Sequence, residues 1–269
     1  MSREFWDAIA PDEETALSDE TINRELRRRE IERHLEDVHT ILDIGAGTGA
    51  FSIPLARRGF AVTHFDVSPE MIARARERAA GIPIEFALGD AADLSRFGTR
   101  SFDLVLCMDG AISFSPQPMH VIAEACRVAG QTLIATASNK AAMIATWIKY
   151  SMKAAGRLLP AVDEMIETGR WNKDQFTDNA LIYPSVCDIP VFQAFDVDEF
   201  AARIGDHMNV VTARSIGSLT HLLALHDSPH VVAELCERYD IEVMPRGPGS
   251  FRRAGVMVVA KRRAARPYR

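Results

Sequence analysis

The chain has 269 residues, of which 47% are hydrophobic and 25% are charged, a composition typical of a soluble globular protein. Its formal net charge of -6 argues against a general nucleic-acid-binding protein, because such proteins usually present a basic face. No stretch approaches the roughly 18 apolar residues that cross a bilayer, and the acidic first residues lack the apolar run of a secretory signal, so we expect a cytoplasmic location.

The predicted elements begin with a helical region, residues 1–37. Ser18 or Asp19 can cap a helix whose apolar side chains recur along one side of a charged run, residues 24–36. Phe5 and Trp6 belong to a short apolar segment that precedes this helix.

Residues 38–137 alternate short apolar segments with helical ones. The apolar segments predict five strands, at residues 39–44, 61–65, 84–88, 102–108 and 131–137. The segments between them predict helices over residues 51–58, from Pro69 onward, and over residues 119–128. Strands alternating with helices at this spacing predict a doubly wound, Rossmann-like α/β fold with a parallel sheet and helices on both faces.

Around Ser138 the alternation stops. Residues 140–159 predict one long apolar helix, and residues 160–195 show no strand–helix alternation. We therefore interpret residues 138–195 as a mainly helical cap inserted over the carboxyl edge of the sheet. In the last part, residues 196–269, Asp196 can cap a further helix, and strands are predicted at residues 209–215 and 255–260.

A glycine-rich turn follows the first predicted strand. Its glycines and Asp66, about twenty residues on, also satisfy the dinucleotide fingerprint, so the turn alone leaves an oxidoreductase and a methyltransferase open. Asp43 distinguishes the two, because a carboxylate at the end of a dry strand repels a pyrophosphate but attracts a cationic ammonium group. Asp90, after the third strand, can accept a hydrogen bond from an adenine amine.

Four segments carry a resemblance to a known family. Residues 41–49 (ILDIGAGTG), 65–71 (FDVSPEM), 89–91 (GDA) and 102–107 (FDLVLC) resemble, in order and spacing, the class I S-adenosylmethionine (SAM)-dependent methyltransferases. The resemblance implies a seven-stranded sheet with a final antiparallel strand, SAM as the cofactor and S-adenosylhomocysteine (SAH) as its product. One departure is the link between the last two strands, residues 216–254, which is longer than a hairpin needs.

The resemblance also implies roles for individual residues. Gly45 and Gly47 would line the methionine part of the cofactor, and Asp66 would hold the ribose hydroxyls. The adenine would meet Val67, Asp90 and Ala91, and in similar enzymes an N-terminal helix closes over the cofactor as a lid. The predicted cofactor-binding residues are Asp43, Gly45, Ala46, Gly47, Asp66, Val67, Asp90, Ala91 and Met108.

The sequence specifies the methyl acceptor less closely than the cofactor. The segment after the fourth strand, residues 108–114, lacks the Asn/Asp-Pro-Pro-aromatic signature of base methylation, which favours a small-molecule acceptor. Asp109, Tyr150 and His221 are the candidate catalytic residues, although a turn cap, a cap core and a satisfied core histidine are their ordinary structural alternatives. Aromatic residues of the insertion can form either a pocket for a planar substrate or the cap's own core: Trp147, Tyr150, Trp171, Phe176, Tyr183 and Phe192.

The predicted function is methyl transfer from SAM to an oxygen, nitrogen or carbon of a small, specialised metabolite. No cluster of metal-ligand residues is evident, so no metal is predicted. We expect a small-molecule substrate, no nucleic acid and no membrane as partners, and the sequence leaves a homodimer open. An NAD(P)-dependent oxidoreductase and a catalytically silent methyltransferase-like subunit are the alternatives.

Overall fold

The computed structural model describes residues 3–10, 18–108, 110–172, 191–216 and 255–262. The helices in these ranges are α1 Arg3–Ile9, α2 Ser18–Glu32, α3 Ser52–Arg57, α4 Pro69–Arg78, α5 Pro118–Val128, α6 Lys140–Ala155, α7 Pro160–Thr168 and α8 Val197–Gly205. The strands are β1 Thr40–Ile44, β2 Ala61–Asp66, β3 Glu85–Leu88, β4 Phe102–Cys107, β5 Ala129–Asn139, β6 Arg170–Asn172, β7 Val191–Phe195, β8 Asn209–Ile216 and β9 Gly255–Lys261.

The main sheet has the strand order β3-β2-β1-β4-β5-β9-β8. The first five of these strands pair in parallel, and β9 runs antiparallel to both β5 and β8. The seven strands and the final antiparallel strand confirm the predicted doubly wound architecture. Both faces of the central strands are covered, which explains why β1, β4 and β9 are near-continuous apolar runs in the sequence.

Two hydrophobic layers cover the two faces of the sheet. Successive side chains of a strand point to opposite faces, so Leu42 joins one layer and its neighbour Ile41 joins the other. The first layer includes residues of α5 and α8, among them Phe200, and the second includes residues of α2 and α3, among them Leu26. Packing of helices on both faces fixes the carboxyl ends of the parallel strands at one edge of the sheet.

Helix α4 begins as its sequence predicts. Pro69 occupies the first turn, where its missing N–H is not needed, and the Ser68 side chain accepts a hydrogen bond from Met71 N at 3.0 Å. This cap places the start of α4 directly after Asp66, the last residue of β2.

The cap differs from the sequence interpretation in two respects. The helix predicted over residues 140–159 ends four residues early, at Ala155, because Gly156 takes a left-handed conformation (φ 65°), and a second helix, α7, begins at Pro160. Residues 160–195 also contain strands: β6 pairs antiparallel with β7, and β7 pairs in parallel with the end of β5 at Ser138 and Asn139. Strand β4 pairs with β5 only as far as Ala135, so the end of β5 beyond Ala135 is open for pairing with β7.

The described aromatic residues of the cap form its own core. Trp147 and Trp171 are 3% and 2% exposed, and their rings meet edge to face with centroids 5.8 Å apart. Phe192 of β7 belongs to the same cluster. Of the two alternatives, a substrate pocket or the core of the cap, these three residues therefore take the second. Phe176 and Tyr183 lie outside the described residues, and Tyr150 lies in α6. Among the helices that the structure describes, none is long and apolar enough to cross a membrane.

Candidate functional site

A cavity lies at the carboxyl edge of the sheet, where β1 and β4 diverge to helices on opposite faces. It encloses about 960 Å³ of empty space, including its open mouth. Ligands of open α/β sheets bind at such a point, where the strand order reverses. The cavity is lined by Trp6, Arg24, Asp43, Gly45, Ala46, Gly47, Thr48, Ala50, Phe51, Phe65, Asp66, Val67, Met71, Gly89, Asp90, Ala91, Met108, Ala111, Phe114 and Ser115.

The residues predicted to bind the cofactor all lie in the wall of this cavity. They come from the turns after β1, β2 and β3 and from the end of β4, four separate places in the sequence. The fold brings them together because the carboxyl ends of neighbouring parallel strands meet at one edge. Their individual roles stay predictions, and the structure adds the geometry in which those roles would operate.

The glycine turn after β1 lies close against β2. Gly45 N and Ala46 N both donate to the carbonyl of Phe65, at 2.8 and 3.2 Å. Gly45 and Gly47 have φ values of 68° and 54°, in the left-handed region that favours glycine. A Cβ on Gly45 would lie 2.8 Å from the Cβ of Ala111, whereas a Cβ on Gly47 would meet nothing within 4 Å. The turn therefore presents bare backbone to an open space.

Asp66 connects the glycine turn to the start of α4. Its side chain is buried, and Oδ2 accepts from Gly47 N while Oδ1 accepts from Ser68 N, each at 2.8 Å. Burial raises the pKa of Asp66, and the backbone N–H groups of Ser68 and Gly47 oppose that rise. An ionised carboxylate has about four acceptor positions, so two N–H donors leave room for hydroxyl donors from a ligand.

The charges around the cavity are unequal in sign. Asp43, Asp66 and Asp90 contribute carboxylates, and Arg24 of α2 is the cationic side chain among the described lining residues. Asp43 is buried at the end of β1, whereas Asp90 is exposed and its Oδ1 accepts from Ala92 N at 2.8 Å. An anionic pyrophosphate is disfavoured beside three carboxylates, and a ligand that carries an ammonium group and one carboxylate suits this wall.

Helix α1 is fastened beside the cavity through Asp7 and Trp6. The Ser68 hydroxyl donates to Asp7 Oδ1 at 2.5 Å, and Glu70 N donates to the same oxygen at 3.4 Å. Trp6 lines the cavity and meets Phe114 edge to face, with ring centroids 5.6 Å apart. Phe5 lies in the same helix. The predicted lid segment is thus placed at the site, and its closure stays a prediction.

The loop after β4 connects the cavity to the cap. Ser113 Oγ accepts from Ser138 N, and its carbonyl accepts from Gln193 N, both at 2.8 Å. The next residue, Phe114, contacts Phe192 of β7 with ring centroids 5.2 Å apart. Sequence reasoning placed this loop on the substrate side. It did not identify Phe114 as the lining residue that contacts both Trp6 of the predicted lid and Phe192 of the cap.

Several lining residues were missed by sequence reasoning. Arg24 belongs to a helix with many arginines, so nothing in the sequence singles it out. Thr48 and Met71 carry a clearer signal, since they lie inside the two motif segments, residues 41–49 and 65–71. Arg78, at the end of α4, donates from Nη1 to the carbonyl and the hydroxyl of Thr48, at 2.9 and 2.8 Å. The glycine turn is therefore held from both β2 and α4.

Of the three candidate catalytic residues, Asp109 and His221 lie outside the described residues, and Tyr150 lies in α6. Their predicted roles stay predictions. Within the described ranges, no group of three or more His, Cys, Asp or Glu side chains is placed to hold a metal ion.

Comparison with known proteins relates the core of the chain to methyltransferases. Residues 41–131 match the family model described as "Methyltransferase domain". A ubiquinone biosynthesis O-methyltransferase of Xanthomonas axonopodis pv. citri is 28% identical over 167 residues, 60% of this chain and 66% of that protein. The chain spans from about a third to about two thirds of the length of the curated relatives it matches.

Solved structures of the same fold cover most of the chain. An SAM-dependent methyltransferase from Mesorhizobium loti has a TM-score of 0.58 and 18% identity, and the match covers 88% of this chain and 98% of that one. Magnesium protoporphyrin IX methyltransferase from Synechocystis PCC 6803, solved with bound SAH, has a TM-score of 0.52 and 17% identity, with 91% and 83% of the two chains covered. At these identities the likeness concerns the fold.

Proposed function

We propose that this chain, whose residues 41–131 form a methyltransferase domain of the class I, SAM-dependent type, transfers the methyl group of SAM to a small-molecule acceptor. One observation carries the proposal. The bare glycine turn, the buried Asp66 and the exposed Asp90 come from three motif segments and line one cavity. Each of these features corresponds to a different part of the same cofactor.

The residues present fit SAM. The open space over Gly47 accepts the methionine part, since even a Cβ at this position would meet no protein atom within 4 Å. Asp66 retains acceptor positions for the ribose hydroxyls, and Asp43 and Arg24 match in sign the ammonium and carboxylate groups of the amino acid. A dinucleotide fits less well, because its pyrophosphate would lie among carboxylates.

SAM, when bound, supplies an electrophilic sulfonium methyl group. The residues of this chain then have three tasks: to hold the cofactor, to orient the acceptor and to exclude water. Asp66 and Asp90 would perform the first task at the ribose and the adenine. Trp6 and Phe114 are aromatic lining residues that meet edge to face, and they would exclude water and position the acceptor. Alignment of two reacting groups in a dry site can account for much of the rate acceleration of a displacement reaction.

The acceptor that suits this wall is small and partly apolar. Two aromatic rings, those of Trp6 and Phe114, meet edge to face in the cavity wall and give a surface for a planar or aliphatic group. The relative named for ubiquinone biosynthesis is an O-methyltransferase, which supports an oxygen nucleophile ahead of nitrogen or carbon. A proton on that oxygen would need a base, for which Asp109, Tyr150 and His221 are the candidates.

Calorimetric titration of the purified chain with SAM, SAH and NAD, each separately, tests the cofactor. We expect both adenosyl compounds to bind with Kd values on the order of 1–100 μM, which corresponds to roughly 5–8 kcal/mol, and NAD to give no heat of binding. Binding of NAD alone would replace the proposal with the oxidoreductase alternative.

A screen for SAH release tests the transfer. Phenols, carboxylic acids and amines of increasing apolar size are incubated with SAM and the chain, and SAH is quantified. We expect release with at least one phenolic acceptor. SAM binding without release for any acceptor class would favour the silent-subunit alternative.

A further inference from the structure

A threonine hydroxyl in the cavity wall has no role in the proposed function as described so far. Thr48 lies between two glycines in the turn after β1, lines the cavity and is 3% exposed. Among the described residues its hydroxyl has one hydrogen-bond partner, Arg78, which donates to it. Within the same ranges the hydroxyl proton therefore meets no acceptor, and it is available to a ligand in the cavity.

Arg78 reaches Thr48 from outside the cavity. Its Nη1 donates to the Thr48 carbonyl at 2.9 Å and to the Thr48 hydroxyl at 2.8 Å. Arg78 is the last residue of α4 and is not one of the lining residues. Since a guanidinium group has no acceptor atom, the hydroxyl can only accept from Arg78 and keeps its own proton for another group. A hydroxyl that accepts from a cation is polarised and becomes a stronger donor.

The charges of the wall indicate which group of a ligand needs such a donor. Three aspartates line the cavity, and Arg24 is the cationic side chain among the described lining residues. The amino-acid part of SAM carries an ammonium group and a carboxylate group. The aspartates attract the ammonium group and repel the carboxylate, so a second positive charge near the carboxylate stabilises it. Arg78 brings that charge to the wall through its contact with Thr48.

We propose that the Thr48 hydroxyl donates a hydrogen bond to the carboxylate of the cofactor's amino-acid part, and that Arg78 is a positioning residue that holds Thr48 from behind the turn. The proposal rests on the proposed function, because it concerns a group of SAM and SAH. Thr48 touches the cofactor, whereas Arg78 acts through Thr48. Because Arg78 also holds the Thr48 carbonyl, its loss loosens the turn as well as the hydroxyl.

Paired substitutions separate the hydroxyl from the shape of the side chain. Thr48→Val keeps the branched shape and removes the hydroxyl, whereas Thr48→Ser keeps the hydroxyl. Arg78→Met removes the guanidinium group, and Arg78→Lys keeps a cationic donor. Arg76→Met is the matched control, because Arg76 is an exposed arginine of the same helix whose guanidinium group lies over the ring of Phe86, outside the cavity wall. Thermal unfolding identifies the variants that remain folded.

Two ligands that differ in one group report on the carboxylate. Decarboxylated SAH has the adenosine, the sulfur and the amine of SAH but lacks its carboxylate. Each ligand is titrated calorimetrically into every variant at pH 7.5, and weak binding of decarboxylated SAH is measured by competition with SAH. Hydrogen exchange of the Gly49 amide in ¹⁵N-glycine-labelled protein needs no ligand, and it reports on the turn because Gly49 N donates to the carbonyl of Ala46 at 3.0 Å.

We expect Thr48→Val to weaken SAH binding by about tenfold or more, the effect of losing one hydrogen bond to a charged group, and to weaken binding of decarboxylated SAH by less than about threefold. Thr48→Ser should stay within about threefold of the wild type for both ligands. Equal losses for the two ligands in Thr48→Val would overturn the proposal, because the hydroxyl would then act on the turn alone. Unchanged SAH binding in this variant would overturn it too.

Arg78→Met should weaken SAH binding by about threefold to tenfold, less than Thr48→Val because Arg78 is exposed. It should also raise Gly49 exchange by about threefold or more. Arg78→Lys should recover most of both losses, and Arg76→Met should change neither measurement. A folded Arg78→Met variant with unchanged Gly49 exchange would refute the positioning role of Arg78.

The two measurements keep this proposal distinct from the cofactor proposal. If the wild type does not bind SAH, the cofactor proposal fails, while Gly49 exchange still decides whether Arg78 holds the turn. If the wild type binds SAH and Thr48→Val weakens both ligands equally, the cofactor proposal stands and the role of the hydroxyl fails. If Thr48→Val does not fold, Arg78→Met decides with the same two ligands, and a loss that SAH and decarboxylated SAH share would overturn the proposal.

Discussion

Replacement of Asp66 by alanine gives the most direct test of the cofactor site. The carboxylate already accepts from Gly47 N and Ser68 N, and the ribose of SAM or SAH would add two hydroxyl donors. A hydrogen bond to a charged group contributes roughly 1.5–3 kcal/mol. Asp66→Ala should therefore weaken SAH binding by about 1.5–3 kcal/mol, which is roughly 10–150-fold in Kd.

The assay is calorimetric titration of SAH into the wild type, Asp66→Ala and the control Asp93→Ala. Asp93 is an exposed carboxylate that also accepts from a nearby backbone N–H, that of Ser95 at 3.1 Å, but it does not line the cavity. We expect the control to bind SAH like the wild type. An Asp66→Ala variant that remains folded and binds SAH within about threefold of the wild type would remove Asp66 from the ribose, because the loss would be well under one charged hydrogen bond.

Three further predictions concern the glycine turn, the buried histidine and the lid. Gly45→Ala should lower the free energy of unfolding by about 1–3 kcal/mol more than Gly59→Ala, because both have positive φ but only the first new Cβ would overlap a neighbour, that of Ala111; equal losses in denaturant unfolding would refute this. His64 of β2 is buried, which lowers its pKa from the ordinary 6.5 to about 4. Between these two values the unfolded chain binds more protons than the folded chain, so the free energy of unfolding should fall as pH falls through that window. The His64 part of that loss is about 2 kcal/mol between pH 7 and pH 5, measured as the difference between wild type and His64→Gln in urea, and a difference near zero would contradict the burial argument. Trp6→Ala should weaken SAH binding by about 1 kcal/mol in the same titration, because it removes an aromatic side chain from the cavity wall, and unchanged affinity would show that α1 does not contribute to cofactor binding.

Much of the fold was predictable because the signals are local, and so was much of the cofactor wall, that is, the lining residues predicted to bind SAM. The first four predicted strands of the core are short apolar runs, each followed directly by a glycine or an acidic residue, and Pro69 marks the start of α4 by its position alone. Parallel strands align their carboxyl ends, so Asp43, Asp66 and Asp90 had to meet at one edge once the sheet was identified. The helix predicted over residues 140–159 is present but ends at Ala155, and its stop signal, Gly156, is visible in the sequence.

The rest depends on contacts between distant parts of the chain. Nothing within residues 191–195 shows that this segment pairs with the end of β5, because the open position there exists only after β4 has ended at Cys107. The place of Arg24 at the cavity depends in the same way on how α2 packs against the sheet. Local patterns carry no information about such pairings.

The same difference between local and distant contacts applies to the two parts of the proposed site, the cofactor wall and the acceptor end. The turns of the cofactor wall belong to three strand–turn units, each complete within about ten residues of sequence, so local patterns identify them. The proposed acceptor end lies where Phe114 meets Trp6 of α1 on one side and Phe192 of β7 on the other. Phe192 lies in the cap and does not line the cavity, whereas Trp6 of α1 lines the cavity together with Asp66. Substitution of Phe192 should accordingly change specificity for the acceptor, substitution of Gly47 or Asp66 should change affinity for the cofactor, and substitution of Trp6 should change both.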